Sequence, residues 1–142
     1  MTVAFNYLGK LGQFGNQMFQ YAATKGIASK LNTSFMIPDH REIFDDGIGN
    51  RYTILLHDVF NLDGQRGILQ TQNYIQEENF CFEEKFFNIS PSTNVCLWGF
   101  FQTEKYFATS TGANLHPCSK NICLLCTQIF PSSFQLIAPN IL

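Results

Sequence analysis

Three glycines and two amide side chains near the N-terminus are the residues of this sequence best suited to binding chemistry. Gly9, Gly12 and Gly15 space a short loop that runs directly into Asn16 and Gln17. Glycine adopts positive φ angles readily and lets a ligand approach the backbone. The two amides stand where a helix is expected to begin, and that end carries unpaired N–H groups and the positive pole of the helix dipole. The pattern predicts a site for a phosphate or a sugar.

A βαβ unit is predicted to position this loop. Apolar residues alternate over 2–7 as in a buried strand, recur every fourth residue over 16–31 as in a helix, and form a second short strand over 33–37. Gly26 inside the helix indicates close packing, and Asn32 suits its C-terminal end. Such a unit is normally parallel and right-handed, and α/β proteins bind ligands at the carboxyl edge of the sheet.

The remaining pattern to residue 107 is less regular. Thr103 is placed to cap a helix that begins at Glu104. The other predicted elements are a short helix or strand over 55–62, a strand over 68–76, a short amphipathic helix over 79–87 and an apolar strand over 94–101.

Two sequence blocks resemble glycosyltransferase family 11, the α-1,2-fucosyltransferases. Residues 12–22 read G-Q-F-G-N-Q-M-F-Q-Y-A and resemble the family motif G-(G/R)-(L/F)-G-N-Q-(M/L)-F-Q-Y-A, with Gln13 as the departure. Residues 98–107 read W-G-F-F-Q-T-E-K-Y-F and are similar to G-(Y/F)-(W/F)-Q-S-E-K-Y-F. Between them, 51–60 loosely resembles R-x-Y-x-L-x-x-F. The resemblance covers residues 2–107.

The resemblance implies a fold, a reaction and a site. The fold is α/β, a Rossmann-like half of a GT-B-type glycosyltransferase with a mainly parallel sheet and flanking helices. The reaction is inverting transfer of L-fucose from GDP-β-L-fucose to a galactose 2-hydroxyl, with no cofactor or metal beyond the donor substrate. No catalytic base is named. The implied substrate-binding residues are Gly12, Gln13, Phe14, Gly15, Asn16, Gln17 and Gln102.

Several of these residues have structural alternatives. Asn16 is also suited to cap its helix, and Gln102 to a plain turn at a strand end. Asp39 follows the second strand, where a ribose-binding acid often lies, but a solvated loop acid is favoured. Phe19 and Tyr21 are assigned to packing.

Composition excludes some classes of function and bears on location. Charged residues make up 14% of the chain, the formal net charge is −2 and no Lys/Arg cluster occurs, so nucleic acid is not an expected partner. No apolar run reaches the length of a transmembrane helix, and no secretory signal is recognisable. We expect a cytoplasmic location with peripheral membrane association as a further option, or the Golgi membrane for a eukaryotic relative that lacks its anchor.

The charge distribution divides the chain into 1–107, the glycosyltransferase domain, and 108–142, a divergent or frameshifted tail whose single charged residue is Lys120. The family motif H-x-R-x-G-D, whose arginine is assigned to the GDP-fucose diphosphate, does not occur. The chain is therefore expected to be an inactive fragment that lacks a C-terminal domain. Cys118, Cys123 and Cys126 are interpreted as free thiols, because a structural zinc site needs four ligands.

Two other functions are compatible with the sequence. One is a non-catalytic module that binds a nucleotide sugar or a glycan, and the other is a structural remnant that keeps only the βαβ core. Ligand binding separates them, because a ligand that binds the folded state raises its melting temperature.

Overall fold

The computed structural model describes residues 1–39 and 55–108, which form a five-stranded, all-parallel sheet with flanking helices. The strands lie in the order β3-β2-β1-β5-β4. Their bounds are β1 Thr2–Ala4, β2 Ser34–Ile37, β3 Gln65–Arg66, β4 Tyr74–Gln76 and β5 Val95–Trp98. The predicted α/β fold with a parallel sheet is confirmed. The tail predicted from residue 108 lies, apart from that residue, outside the described residues.

Helix α1, Phe14–Lys30, packs along one face of the sheet and supplies about a third of the core cluster. Its buried residues include Tyr21, Ala23 and Ile27, which lie in one cluster with Val3 and Leu97 of the strands. The period predicted for this helix is confirmed, although it begins two residues earlier than expected. Residue 32 follows its C-terminal end at φ 50°, so the expected asparagine does terminate the helix.

Gly26 lies where α1 crosses the chain that follows β5. A methyl group at this position would lie 2.5 Å from the carbonyl oxygen of Tyr106 and 2.6 Å from Cα of Phe107. The backbones therefore approach more closely than any side chain permits, and the predicted close packing at Gly26 is confirmed.

The elements between β2 and β5 are shorter than the sequence indicated. Residues 55–62 contain a single helical turn, α2 Leu56–Val59, and the predicted strand over 68–76 is confined to β4. The amphipathic helix expected over 79–87 is a 3-10 turn, Glu84–Phe87. The predicted strand over 94–101 ends at Trp98, because a tight turn begins at the next residue. Strand β3 was missed, since two exposed residues carry no alternation.

A second 3-10 turn, Glu104–Tyr106, follows β5, and the hydroxyl of Thr103 accepts the Lys105 N–H at its start. The predicted cap is therefore confirmed. Among the described residues, no helix is long and apolar enough to cross a membrane.

Aromatic rings fill the core beneath the sheet edge. Tyr106 is fully buried, with its ring centroid 5.2 Å from Phe101 and 5.6 Å from Phe86, both edge-on. Its hydroxyl accepts the Glu83 N–H at 3.0 Å and donates to the Cys81 carbonyl at 3.1 Å. Burial raises the pKa of Tyr106 to about 12. The hydroxyl thus ties the second 3-10 turn to the loop after β4.

Replacing Gly26 by alanine should destabilise the fold, although alanine is the better helix former by about 1 kcal/mol. The added methyl would overlap the backbone at Tyr106 and Phe107, and overpacking of this kind costs about 1–3 kcal/mol. Ser29→Ala is the matched control, because Ser29 lies exposed on the same helix. Urea unfolding should give a lower midpoint for Gly26→Ala alone. Equal midpoints for the two variants would contradict the close contact.

Stability should decline as the pH rises from 10 towards 12. Burial raises the pKa of both Tyr21 and Tyr106 from 10.0 to about 12. In this interval the unfolded chain releases the phenol protons and the folded chain keeps them, so unfolding becomes more favourable with increasing pH. Urea midpoints measured across the interval should fall, and the slope should be smaller in Tyr106→Phe. A midpoint independent of pH in the parent chain would show that these phenols ionise normally.

Candidate functional site

The two sequence blocks, 12–22 and 98–107, meet at the carboxyl edge of the sheet. Strand β1 lies in the middle of the sheet, with β2 and β3 on one side of it and β5 and β4 on the other. This is the topological switch point, where parallel α/β sheets open a crevice beyond the strand ends. The loop over 5–13 follows β1 there, and the turn over 99–103 follows β5. Both predicted binding segments therefore lie at the edge where ligands are expected.

The glycine loop adopts the conformation that its composition predicted. Gly9 and Gly12 have φ angles of 87° and 82°, which side-chain-bearing residues rarely adopt. A methyl group at Gly12 would lie 2.5 Å from Nδ2 of Asn16, so the loop packs directly against this amide. A methyl group at Gly15 would meet no atom within 4 Å, so there is open space beside the first turn of α1.

Among the described residues, no side chain caps the first turn of α1. Gln13 occupies the N-cap position in an extended conformation and makes no capping hydrogen bond. Asn16 lies inside the helix at its third residue, so the interpretation of Asn16 as the helix cap is wrong. Gln13 and Gly15 are exposed, and Phe14 is half-buried with its ring stacked on Phe60 at a centroid distance of 6.3 Å. Within the described part of the chain, no side-chain oxygen covers the positive end of the helix dipole.

A hydrogen bond joins the two sequence blocks. Nε2 of Gln102 donates to Oδ1 of Asn16 at 2.8 Å, across a separation of 86 residues. Gln102 is exposed and Asn16 half-buried, so the pair lies at the surface of the edge. Each amide retains hydrogen-bonding capacity beyond this contact, because an amide offers two N–H donors and an acceptor oxygen. The pair can donate to and accept from a neutral polar ligand.

Gln17 lies elsewhere. Its side chain is fully buried, and its Oε1 accepts the Leu56 N–H at 2.9 Å, which holds the start of α2 against α1. The structure therefore does not bring Gln17 to the surface occupied by Asn16 and Gln102. Its assignment as a substrate-binding residue stays a prediction. Its hydrogen bond to Leu56 already gives it a structural function.

Gln20 belongs to the first sequence block but was not assigned to the site. It is fully buried, and its Nε2 donates to the carbonyls of Leu11 at 2.8 Å and Gly99 at 3.2 Å. One amide thus links α1 to the glycine loop and to the turn after β5. Nothing in the sequence marked its burial, because Gln20 lies among the apolar residues that already define the buried face of the helix.

Glu77 was missed by sequence reasoning. It directly follows β4 and is 8% exposed, and its Oε2 accepts the N–H groups of Phe100 at 2.9 Å and Phe101 at 2.8 Å. Its own N–H donates to the carbonyl of Trp98 at 2.8 Å. The available signal was the position of this acid directly after the strand predicted over 68–76. No other feature of the sequence marked Glu77 as part of the site. Glu77 fixes the turn that carries Gln102.

The other candidates have simpler positions. Tyr21 is fully buried and Phe19 packs against the core, so their assignment to packing is confirmed. Asp39 lies two residues beyond β2 and is half-buried, and a contact with ribose stays a prediction. Within 1–39 and 55–108, no group of three His, Cys, Asp or Glu side chains is placed to hold a metal. The cysteines at 118, 123 and 126 lie outside the described residues.

Comparisons with protein-family models, with curated proteins and with solved structures found no match to this chain. The edge combines a glycine loop, a helix N-terminus that no described side chain caps, and a pair of neutral amides at a topological switch point.

Proposed function

We propose that residues 1–107 are the N-terminal, Rossmann-like half of a GT-B-type α-1,2-fucosyltransferase. With a second half, it would transfer L-fucose from GDP-β-L-fucose to the 2-hydroxyl of a galactoside. The observation that carries the proposal is the hydrogen bond between Asn16 and Gln102. The two blocks that resemble the family are far apart in the sequence, and a chance resemblance gives no reason for their amides to meet at a ligand-binding edge.

The proposed mechanism is a direct displacement at the anomeric carbon of fucose. The galactoside 2-hydroxyl attacks this carbon, the bond to the phosphate oxygen breaks, and the electron pair leaves with GDP. The hydroxyl proton passes to a base that no residue of this chain is assigned to provide. Backbone N–H groups at the start of α1 are suited to stabilise negative charge on the departing diphosphate, because the helix dipole is positive there.

The second half has a defined task in this proposal. Asn16 and Gln102 are neutral amides and balance no phosphate charge. The arginine of the H-x-R-x-G-D motif, absent from this sequence, would supply that cation. The chain alone then binds substrates weakly and lacks the charge stabilisation that transfer requires.

The same features favour a second candidate, a nucleotide-sugar or glycan-binding module without turnover. The helix N-terminus and the amide pair are binding groups, and Glu77, the carboxylate that fixes the turn, is buried against backbone N–H groups. Binding without transfer, even after a second half is supplied, would select this candidate. A structural remnant would bind neither substrate.

GDP-fucose should raise the melting temperature of the 142-residue chain, and Gly15→Ala should reduce that rise. The methyl meets no protein atom within 4 Å, so the variant should fold at least as stably as the parent. It would occupy the open space beside the helix N-terminus where the diphosphate is proposed to lie. Thermal unfolding with and without GDP-fucose measures both effects. Ser29→Ala is the control for a small change on the same helix, and it should keep the full ligand-induced rise.

The 142-residue chain should transfer no radiolabelled fucose from GDP-fucose to lactose. A chain joined to a family 11 second half that carries H-x-R-x-G-D should do so, because the arginine restores the charge stabilisation of the diphosphate. In the joined chain, Asn16→Ala should lower turnover with little loss of stability, as the melting temperature would show. Turnover by the 142-residue chain at the rate of the joined chain would sink the proposal that two halves are needed.

A further inference from the structure

Two phenylalanine rings meet at the surface beside the outermost strand of the described sheet. Phe80 is 71% exposed, and its ring centroid lies 5.9 Å from that of the half-buried Phe100, at an interplanar angle of 32°. Phe80 follows β4 and Phe100 follows β5, and β4 is the last strand in the order of the described sheet. We call these two rings the aromatic patch. It lies at the lateral end of the sheet, where another molecule can reach it.

Two carboxylates fix the backbone that carries the aromatic patch. Oε2 of Glu77, a residue only 8% exposed, accepts the Phe100 N–H at 2.9 Å. Oε1 of Glu83 accepts the N–H groups of Glu78 at 2.8 Å and Asn79 at 2.9 Å, directly before Phe80. Rings carried on a fixed backbone lose little conformational freedom on binding, so they are suited to anchor a partner.

The exposure of Phe80 is not the result of a loose loop. The hydroxyl of Tyr106 donates to the carbonyl of Cys81 at 3.1 Å and accepts the Glu83 N–H at 3.0 Å. Phe82 packs on the same tyrosine, with the ring centroids 5.2 Å apart. The loop therefore covers one phenylalanine and leaves the other in solvent two residues earlier. An exposed aromatic side chain at a fixed position is typical of an interaction site.

The segment that carries Phe80 is acidic. Residues 77–87 hold four of the eleven acidic residues of the chain and one of its nine basic residues, a local charge of −3 against −2 for the whole chain. The basic residue, Lys85, is already paired with Glu78 at 2.9 Å and with Glu83 at 2.6 Å. The Glu78 side chain is 75% exposed, and Glu84 is also exposed. Negative charge is thus presented to solvent on the same segment as the exposed ring.

This charge favours one kind of occupant. If two copies of the chain met through this patch, each would bring its acidic segment against that of the other, and like charges in an interface are unfavourable. Basic side chains next to an apolar residue would instead complement the carboxylates and the rings together. The negative face of an aromatic ring also attracts a cation.

We propose that the aromatic patch docks a segment of a separate partner protein in which apolar residues are flanked by Lys or Arg. An apolar side chain of the partner packs on Phe80 and Phe100, and its cations pair with Glu78 and Glu84. Electrostatic complementarity of this kind speeds association and selects the partner, while the buried ring supplies most of the affinity. Asn16 and Gln102 take no part in this contact, so it is independent of the proposed transferase activity.

The test uses a fluorescein-labelled synthetic peptide in which pairs of leucines alternate with pairs of lysines. Its dissociation constant for the 142-residue chain is measured by fluorescence anisotropy. Phe80→Ala should raise this constant about three- to tenfold, as expected for loss of one anchor. Glu78→Gln should raise it about two- to threefold at low ionic strength and have no effect at about 0.5 M salt, where charges are screened. A peptide with glutamate in place of each lysine should not bind.

Each variant has a matched control. Tyr74→Ala removes an aromatic side chain that is 48% exposed at the other end of β4, and Asp63→Asn removes an exposed acid that is paired with Lys25, before the strand at the opposite end of the sheet. Both controls should bind the lysine peptide as the parent chain does. Because Phe80 is largely exposed, its variant should keep the parent melting temperature, so weaker binding would not reflect unfolding.

Four results would overturn the proposal. They are absence of binding by the lysine peptide, equal binding of the glutamate peptide, unchanged affinity in Phe80→Ala, and losses in the two controls equal to those in the patch variants. Sedimentation of the chain alone provides a further check. A dimer that Phe80→Ala dissociates would show that a second copy occupies the patch, and a monomer agrees with a separate basic partner.

Discussion

The carboxyl edge of the sheet depends on one buried amide. Gln20 projects from α1 and donates to the carbonyl of Leu11 in the glycine loop and to that of Gly99 in the turn after β5. Its oxygen has no hydrogen-bond partner among the described residues, and an unsatisfied buried acceptor costs about 1–3 kcal/mol. The fold retains this cost because the same amide sets the helix, the loop and the turn at fixed positions.

Packing around Gly26 and Tyr106 holds the rest of this edge in place. The glycine at 26 lets the other half of α1 lie directly on the backbone at Tyr106, so the helix is held against the segment after β5 at two places. The Tyr106 hydroxyl then bonds to the backbone of the loop at Cys81 and Glu83. The Lys85 ammonium and the two N–H groups on the Glu83 carboxylate hold its pKa below the ordinary 4.5, so this carboxylate stays charged and keeps the loop in place.

The polar side chains at this edge, Asn16 and Gln102, are neutral. This bears on how the proposed reaction is divided between the two halves of the enzyme. Amides such as Asn16 and Gln102 discriminate among hydroxyl-bearing ligands through direction, whereas a leaving diphosphate needs charge. In the proposal, this half orients the sugars and the second half supplies the cation, which is consistent with the neutral amides found here.

Local patterns in the sequence determined the elements that depend on neighbouring residues. The period of α1 and the cap at Thr103 follow from residues within a few positions of one another. A glycine inside the helical pattern indicated the close packing at Gly26, although its partners, Tyr106 and Phe107, are set by the tertiary structure. The positive φ angles of the glycine loop were predictable for the same reason, because glycine tolerates them wherever it stands.

Tertiary structure alone decided which of these residues meet. The strand order sets the turn after β5 beside the glycine loop, and only then do Asn16 and Gln102 bond across 86 residues. Glu77 and Gln20 became visible for the same reason, because their partners are backbone groups, which carry no sequence signature. The tertiary structure also decided the short strand β3 and the burial of Gln17. The hydrophobic period of an element predicts which of its faces is buried, but not which neighbour covers that face.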